Sequence, residues 1–369
     1  MEHASESDLQ EFRTMAERFA KKELEPKAVE IDNYPFQPFH SAAVEAARET
    51  GMLQVVLPEE QGGAGQGIAV LSEILMPLAS ADASFAAVVL VNSLSLSALS
   101  RWGKKAVVES YAGSGLVAFP AYELPGDLPT AVTAKKKGKG YALDGRLDYL
   151  ALAPVADALI VPALVEGAEQ PALFVVDRKA KGVSPSEPVI SLGLRNCPVA
   201  DVTLQGVEVA ESNLLTAEGR TGCAALANDF AAAVAAMAVG VVSGSYQAAK
   251  AYAAERYQGG RRIIDYDLVR QMLTNLQVIA ESGKALVRAM AAAADAGEGF
   301  PLTSSGLILL SEQASRATAD GVQCLGGYGY MEEYGQEKRM RDAKQIEGLF
   351  GAAPAKRLEL MEEILRREQ

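Results

Sequence analysis

The spacing of apolar residues changes twice along the chain, and this change limits the folds available to it. Leu9, Phe12 and Phe19 begin a region, extending to about Leu99, in which apolar residues recur at the three- and four-residue spacing of amphipathic helices. From about Tyr111, short apolar segments alternate with glycine, proline and charged residues, which is typical of strands joined by turns. Toward the C-terminus the helical spacing returns. The chain is therefore predicted to form helices, then a sheet, then helices again.

Three domains follow from this order of elements. We expect an N-terminal helical domain over residues 1–110, a middle β-domain over 111–215 and a C-terminal four-helix bundle over 216–369. The fold class is accordingly α+β, with an antiparallel β-barrel or sandwich between two helical domains.

The individual elements are predicted from the same spacing. After the first helix, the N-terminal helices are about Pro38–Thr50, Ile68–Ala79 and Ser84–Ser100. The strands are Leu116–Pro120, Ala131–Lys137, Tyr141–Leu147, Ala158–Pro162, Ala172–Val176 and Val199–Gln205. The bundle helices are about Cys223–Tyr257, Ile264–Ala294, Ser304–Leu325 and Pro354–Arg367.

Charge and cysteine content narrow the function classes. The formal net charge is −12, so nucleic acid and anionic membrane surfaces are not expected partners. No apolar run reaches the ~20 residues that a spanning helix needs, so we expect no membrane span. The 3 cysteines are widely spaced without a CxxC pair. This pattern favours reduced, buried thiols in a cytoplasmic protein over disulfides or zinc.

Histidine is scarce in this sequence. His3 and His40 are the only two histidines, so a histidine-based nucleophilic triad or metal site is not expected, and no metal is predicted. Acid–base chemistry then has to come from a carboxylate, a lysine, a tyrosine or a bound cofactor. A cofactor fits this composition best.

A glycine-rich break divides two helical segments near the C-terminus. It lies within Gln323–Tyr330, QCLGGYGY, and charged residues lead from it to Arg341–Lys344. Three glycines in four residues allow positive φ angles and close approach to another surface. N–H groups exposed in such a turn, near a helix end, suit an anionic group such as a pyrophosphate. From these residues alone, a tight helix–helix connection is the preferred interpretation and a ligand site the alternative.

QCLGGYGY followed by MRDAK resembles the C-terminal signature of the acyl-CoA dehydrogenase family. The family's N-terminal PE-x-x-GG-x-G loop is matched by Pro58, Glu59, Gly62, Gly63 and Gly65. The resemblance covers essentially the whole chain. It implies FAD as cofactor, an acyl-CoA thioester as substrate, and a homo- or hetero-oligomer, dimer or tetramer, with the flavin between subunits. For an active member it also implies an electron-transfer flavoprotein as partner and a role in fatty acid or aromatic acid degradation.

In this family one subunit holds the adenine and pyrophosphate end of the flavin through R-x-x-F-G and Q-x-x-GG-x-G motifs. Arg256 and Gly260 match the first motif, although Gly259 replaces its phenylalanine. The second motif is matched fully by Gln323, Gly326, Gly327 and Gly329. With Arg256 as the cation for the pyrophosphate, these residues are the cofactor-binding set that the resemblance implies.

The family's β-domain binds the isoalloxazine ring through a TEPxxGSD loop and a W-I-T/S strand, and neither is kept here. The corresponding loop, Phe119–Val132, has no matching threonine or serine. Tyr149 stands in the place of the tryptophan and Ala151 in that of the hydroxyl residue. Each hydrogen bond lost from a polar cofactor site weakens binding by about 1 kcal/mol or more. We therefore expect the ring half of the site to be eroded.

The family's catalytic glutamate has no direct counterpart. In the ungapped register its place, six residues after Lys344, is occupied by Phe350, and its alternative place on the first bundle helix by Phe230. A phenylalanine cannot accept a proton. A gapped register instead aligns Ile346-Glu347-Gly348 with the family's Tyr-Glu-Gly and makes Glu347 the base. Glu347 is therefore the candidate catalytic residue, against Phe350 at the usual position.

These features leave several functional hypotheses. The first is a subunit of a hetero-oligomer that lends the adenine side of a flavin site to a partner carrying the ring pocket and the base. The second is an active FAD-dependent acyl-CoA dehydrogenase with Glu347 as base. A lyase or desulfinase-like enzyme using Arg261 or Arg262, and a non-enzymatic structural paralogue, are the remaining alternatives.

Overall fold

The structure is a computed structural model that describes residues 4–32, 39–111, 113 and 115–368. Its N-terminal part is helical, as predicted. The helices are α1 (Glu6–Phe19, continued by a π-helical turn to Leu24), α2 (Ser41–Glu49), α3 (Ile68–Trp102) and the unpredicted α4 (Lys105–Tyr111). The predicted start of α2 at Pro38 lies outside the described residues, as does His3. Gly51, with φ 74°, ends α2 as a left-handed cap.

The middle part is a sheet. Its strands are β1 (Val117–Ala118), β2 (Val132–Lys137), β3 (Gly140–Ala151), β4 (Ala158–Val165), β5 (Ala172–Asp177), β6 (Val183–Pro185), β7 (Val199–Ala210) and β8 (Leu214–Thr216). The order is β6-β7-β3-β2-β4-β5-β8, with β1 beside β4. The expectation of a purely antiparallel sheet was wrong for two pairs, because β4 runs parallel to both β1 and β2. β3 is antiparallel to β2, and its other edge pairs with β7. The chain after β3 therefore reaches the free edge of β2, where β4 runs parallel to β2.

The C-terminal part contains one helix more than the four predicted. Its elements are α5 (Gly219–Glu255), a hairpin of β9 (Tyr257–Gln258) and β10 (Arg261–Arg262), α6 (Asp267–Asp295), α7 (Leu302–Leu325), α8 (Gln336–Ile346) and α9 (Ala353–Glu368). The additional helix, α8, contains the charged MRDAK segment. The segment after the glycine-rich break was predicted to be helical but was not counted in the bundle, because ion pairs rather than a broad apolar stripe hold α8 in place.

The core of the molecule lies where α3 packs along α5. Two glycines one turn apart on α5 face the backbone of α3: a Cβ at Gly240 would lie 2.3 Å from the Met76 carbonyl oxygen, and one at Gly244 would lie 2.3 Å from that of Ser80. The alanines between 231 and 238 on α5 are all buried. Small residues thus bring the first and last parts of the chain into close backbone contact.

The same two helices are more apolar over their length than the sequence analysis indicated, and the expectation of no membrane span is not contradicted by them. α3 and α5 are long and apolar enough to cross a membrane, contrary to the sequence prediction that no such run exists. In the structure 83% and 78% of their most apolar windows are buried against other parts of the protein. Their apolar character is therefore accounted for by the core.

A buried ionic cluster ties the three parts of the chain together. The ammonium group of Lys338 on α8 lies 2.8 Å from a carboxylate oxygen of Asp82 and 2.7 Å from one of Asp342. Asp82 sits at a kink in α3, with non-helical φ −148° and ψ 104°, and separates the two helices predicted there. Asp342 also accepts the Leu194 N–H from the sheet side at 2.7 Å. All three charged residues are at most 5% exposed.

A second ion group extends this cluster toward the surface. The Arg341 guanidinium donates to Asp32 and to Glu337, each at 2.5 Å, and to the Leu192 carbonyl oxygen at 2.9 Å. The Arg-Asp-Ala-Lys segment therefore has a structural role through its arginine and aspartate. It fixes the position of α8 against the N-terminal helices and the sheet.

We expect Gly240→Val to destabilise the fold by about 3 kcal/mol, because the new side chain must separate α3 from α5. Gln247→Val is the control, since it introduces the same side chain at an exposed position of the same helix. Helix propensity alone would favour Gly240→Val over this control, so it cannot account for a larger loss in Gly240→Val. Urea denaturation of both variants measures the difference. Equal unfolding midpoints for the two variants would contradict the close packing of α3 on α5.

Lys338→Met leaves Asp82 and Asp342 buried together without their cation, so we expect a loss of about 3–5 kcal/mol in the free energy of unfolding. The control is Lys284→Met, which removes an ion pair with Glu281 that lies on the surface. Thermal or urea denaturation distinguishes them. A loss no larger than that of the control would mean that the buried cluster contributes nothing net to stability.

Candidate functional site

The predicted nucleotide-binding residues converge at one end of the helical bundle. Arg256 follows the last residue of α5, and the glycine-rich turn follows α7. The guanidinium carbon of Arg256 lies 5.5 Å from the centre of the Tyr328 ring, which belongs to this turn. A cation at this distance from a ring is attracted to its face. Two motifs that are far apart in the sequence therefore form one surface.

Each glycine of the turn has its own environment. Gly326 has φ 57° and ψ −131°, a conformation that is readily available only to glycine. A Cβ at Gly326 or Gly327 would meet no atom within 4 Å, whereas one at Gly329 would lie 2.0 Å from the Val322 carbonyl oxygen. Gln323 is exposed on the last turn of α7. Gly326 and Gly327 thus present open backbone, and Gly329 is needed for packing.

The turn lies at the carboxyl end of α7, which is the negative end of the helix dipole. The sequence interpretation connected a helix end with anion binding, but this helix end disfavours an anion. Positive charge at the turn has to come from a side chain. Arg256, held against Tyr328, supplies it. Any anionic group bound here therefore depends on Arg256.

Three tyrosines form an aromatic cluster around Arg256. The ring centres of Tyr252 and Tyr328 are 6.3 Å apart, and those of Tyr328 and Tyr334 are 5.0 Å apart. Tyr328 and Tyr334 are each 42% exposed and offer aromatic faces for stacking against a planar group. Sequence analysis missed Tyr252 and Tyr334. The available signal was that Tyr252 precedes Arg256 by four residues, which puts both on one face of the helix predicted over Cys223–Tyr257.

The β9–β10 hairpin explains why a glycine replaces the expected phenylalanine. Gly259 and Gly260 form its turn, with φ angles of 60° and 86°. A Cβ at Gly259 would lie 2.4 Å from the hydroxyl oxygen of Tyr266. That hydroxyl donates to the Gln258 carbonyl oxygen at 2.8 Å. The Arg261 guanidinium stacks 3.9 Å from the centre of the Tyr266 ring, so it is engaged on the hairpin surface.

The segments expected to surround a flavin ring are in direct contact with each other. Tyr122, from the loop in place of TEPxxGSD, packs edge-on against Tyr149, with 5.3 Å between ring centres. The Tyr122 hydroxyl is hydrogen-bonded to Gln345, and burial raises the pKa of that hydroxyl. Tyr149 itself has φ 59° and its hydroxyl lies 3.3 Å from that of Ser191. Two tyrosine rings therefore occupy the place where the resemblance puts one tryptophan and hydroxyl donors.

Phe350, in the loop after α8, contacts the same segment of the β-domain that carries Tyr122. Its backbone N–H donates to the Ala121 carbonyl oxygen at 2.8 Å, beside Tyr122. The residue is 4% exposed and has φ 59°, followed by Gly351 with φ 94°. A bulky residue in the left-handed region is strained by about 1–3 kcal/mol and persists only where its surroundings hold it. The loop after α8 is thus fixed onto the β-domain with an aromatic side chain at the usual base position.

The other predicted base position is also apolar. Phe230 on α5 is 1% exposed. Its neighbour Asp229 points elsewhere and pairs with Arg101 at 2.7 Å. In the described part of the chain, α5 therefore places no carboxylate at the position of Phe230.

Glu347 follows the last residue of α8, where it caps the helix. Its two carboxylate oxygens lie 3.0 and 2.9 Å from the ammonium group of Lys344. The geometry is that of an ion pair at a helix end. The role of Glu347 as base stays a prediction of the gapped register.

A cavity of about 670 Å³ lies beside Phe350, between α5, the start of α7 and α9. This volume is within the range of small-molecule sites, about 300–1,000 Å³. Phe350 and Lys356 line it, together with Gly126 from the loop after β1. Glu347 is not among the residues that line it. Phe350, and not Glu347, therefore lines this cavity.

The thiols and carboxylates show no metal-ligand arrangement. All three cysteines are free and buried, as expected, and burial raises the pKa of the Cys197 thiol. Within the described ranges, no three or more histidine, cysteine, aspartate or glutamate side chains cluster as a metal site would require.

Comparison with known proteins identifies the two helical parts. Residues 6–114 match the family described as "Acyl-CoA dehydrogenase, N-terminal domain". Residues 219–365 match "Acyl-CoA dehydrogenase, C-terminal domain". In the sequence, the first match ends before the strands of the sheet and the second begins after them.

Whole proteins and solved structures agree with these matches. Cyclohex-1-ene-1-carbonyl-CoA dehydrogenase of Syntrophus aciditrophicus is 30% identical over 89% of this chain and 83% of that protein. A 3-(aryl)acrylate reductase of Clostridium sporogenes is 29% identical over 96% of this chain and 98% of that protein. Butyryl-CoA dehydrogenase of Megasphaera elsdenii superposes with a TM-score of 0.88 at 23% identity, over 99% of this chain and 100% of that chain.

A glutaryl-CoA dehydrogenase of Mycobacterium smegmatis, solved in complex with FADH2, superposes with a TM-score of 0.85 at 21% identity, over 98% of this chain and 95% of that chain. These likenesses confirm the predicted fold class of helices, sheet and helices. FAD is the cofactor of the family. Its substrates are acyl-CoA thioesters. By its sequence and its fold, the chain belongs to the acyl-CoA dehydrogenase family of flavoproteins.

Proposed function

We propose that the chain is the subunit of an acyl-CoA dehydrogenase-type hetero-oligomer that lends a nucleotide-binding surface to a partner's FAD and seats no flavin ring of its own. One observation supports this proposal: the glycine turn beside Arg256 is open, whereas Tyr122 and Tyr149, in the segments that correspond to the family's ring-binding loop and strand, pack against each other. Within this chain, the residues for the adenine and pyrophosphate end of FAD are accessible, whereas those for the ring end are packed against each other.

The adenine and pyrophosphate end of FAD fits the residues present. The backbone of Gly326 and Gly327 is unobstructed, Arg256 offers a cation, and Tyr328 and Tyr334 offer exposed rings. The Gly326 N–H donates to the Gln323 carbonyl oxygen, so the guanidinium of Arg256 beside this open turn is the main partner proposed for the pyrophosphate. Arg256, Gln323, Gly326, Gly327 and Gly329 are therefore our proposed binding residues.

The isoalloxazine end of FAD does not fit. Tyr122 is packed on Tyr149 and hydrogen-bonded to Gln345, so a ring could enter only by displacing this contact. The threonine and serine hydroxyls that would bind the ring are absent from the loop, and Phe350 cannot take up a proton. We therefore assign no redox or proton-transfer step to this chain. The flavin ring and the base belong to the proposed partner.

This proposal predicts that the chain purified alone carries little flavin, and that it co-purifies with FAD when produced together with an acyl-CoA dehydrogenase-like chain encoded beside it. Within such a complex, Arg256→Ala should weaken FAD binding about 10- to 100-fold, because a charged hydrogen bond contributes about 1.5–3 kcal/mol. Flavin absorbance and FAD titration measure both effects.

The matched control is Arg316→Ala, which removes one exposed positive charge from α7 and should leave FAD affinity unchanged. The proposal fails if the chain alone binds stoichiometric FAD and reduces an electron acceptor with an acyl-CoA. A complex that forms but holds no flavin would favour the non-enzymatic paralogue instead.

An active dehydrogenase is the second candidate, and similarity over nearly the full length to a named dehydrogenase favours it. Glu347 would then be the base and an electron-transfer flavoprotein the electron acceptor. This candidate predicts that Glu347→Gln loses activity about 100-fold or more, because general-base catalysis contributes 10²–10⁴. Acyl-CoA-dependent dye reduction measures the rate.

Lys344→Met is the control for this candidate, since it breaks the Glu347 ion pair but keeps the carboxylate. Unchanged activity in Glu347→Gln would rule this candidate out. A cytoplasmic location, expected from the free thiols, belongs to either candidate.

A further inference from the structure

Lys356 lies on the first turn of α9 and forms part of the wall of the 670 Å³ cavity. It is 6% exposed. Its ammonium nitrogen donates to the carbonyl oxygens of Glu347 and Leu349, each at 2.8 Å. Both acceptors are neutral. A buried lysine held only by neutral acceptors has little to offset the cost of desolvating its charge.

The carboxylates that approach Lys356 from neighbouring helices are already paired with other cations. Glu347, at the end of α8, binds Lys344 through both carboxylate oxygens. Glu312, on α7, forms its ion pair with Arg357. None of the ion pairs in the described part of the chain includes Lys356. The positive charge of Lys356 is therefore balanced only by carboxylates that do not contact it directly.

The carboxylates on the cavity side are likewise bound elsewhere or exposed. They are Glu359, which accepts the Gly126 N–H at 2.7 Å; Glu363, paired with Arg366 and Arg367; Asp229, paired with Arg101; and the exposed Glu362. Arg220 adds a further positive charge to the lining. Burial consequently lowers the pKa of Lys356 to about 8. At pH 7 about a tenth of this amine is then unprotonated, which is far more than for an ordinary lysine.

We propose that Lys356 is an acyl-acceptor site, at which the acyl group of a thioester held in the cavity beside Phe350 is transferred to the lysine side chain. The inference rests on the proposed function only in taking an acyl-CoA thioester as the ligand. Apolar lining from Phe350, Ile308 and Leu360 suits the acyl group, and Arg220, Arg366 and Arg367 suit an anionic carrier.

The transfer needs no further reagent. The free amine of Lys356 attacks the thioester carbonyl carbon, the carbon–nitrogen bond forms and the carbon–sulfur bond breaks. The proton lost by nitrogen passes to the departing thiolate, so the products are an N-acyl-lysine and a free thiol. The cation is lost, and one donor to the Glu347 and Leu349 carbonyl oxygens remains on the amide nitrogen. Acylation would therefore loosen the contact between α9 and the loop that carries Phe350.

The test is to incubate the full-length chain with butyryl-CoA over a range of pH and to quantify acylation at each lysine by peptide mass spectrometry. We expect Lys356 to be acylated at least about tenfold faster than the exposed Lys344 and Lys284, because more of its amine is free. Its rate should level off above about pH 8–9, whereas the rates at Lys344 and Lys284 continue to rise toward pH 10. Lys356→Arg keeps a cation and donors for both carbonyls and should abolish only this adduct.

A second probe separates the reactivity of the amine from the binding of the thioester. Formaldehyde with cyanoborohydride methylates free amines without any CoA group. Preferential methylation of Lys356 without acylation would overturn the inference and count against thioester binding in this cavity. If neither reagent favours Lys356 over Lys344 and Lys284, the inference fails while the proposed nucleotide surface is untouched. Preferential reaction with both reagents, with the expected pH profile, supports it.

Discussion

The buried cation of Lys338 between Asp82 and Asp342 is the interaction on which the arrangement of this molecule depends. It joins a kink in α3 to α8, and Asp342 extends the contact to the backbone at Leu194. A buried ion pair adds little net stability but penalises arrangements in which one charge is left alone. It therefore selects one position for α8. Because the next loop starts at the end of α8, the position of α8 also fixes that loop, in which Phe350 contacts Ala121.

Regular spacing of apolar residues was sufficient to predict most of the fold, because burial is what forms the long helices and the sheet. The break between two N-terminal helices was predicted near its observed position at Asp82. α8 was not counted in the bundle, since its buried side chains include a lysine and an aspartate rather than an apolar stripe. The parallel pairs of β4 could not be predicted, because strand order depends on contacts between distant segments.

The candidate nucleotide-binding surface was predictable in part, because its motifs are recognisable from their spacing in the sequence. Motif spacing pointed to Arg256 and the glycine turn, and the structure brings them within cation–π distance. Tyr334 was missed because a three-dimensional aromatic cluster leaves no periodic trace. The contact of Tyr122 with Tyr149 was also beyond sequence reasoning. It depends on two loop conformations, one of which places a tyrosine at positive φ against its intrinsic preference.

The backbone conformation after α8 helps to decide between the two alignments with the family's catalytic glutamate. The ungapped alignment puts Phe350 at that position, and the gapped alignment puts Glu347 there. The family's glutamate is followed by a glycine, and a glycine kept at such a point commonly serves a positive φ angle. Gly351 has φ 94°, directly after Phe350, whereas Gly348, which follows Glu347, has no positive φ. The strained turn thus stands where the ungapped register puts it. Packing holds this loop in place, since the Phe350 N–H donates to the Ala121 carbonyl oxygen and Gly351 lies close against Leu124. This packing does not depend on a carboxylate in the loop, which agrees with a proposed function that assigns the base to another subunit.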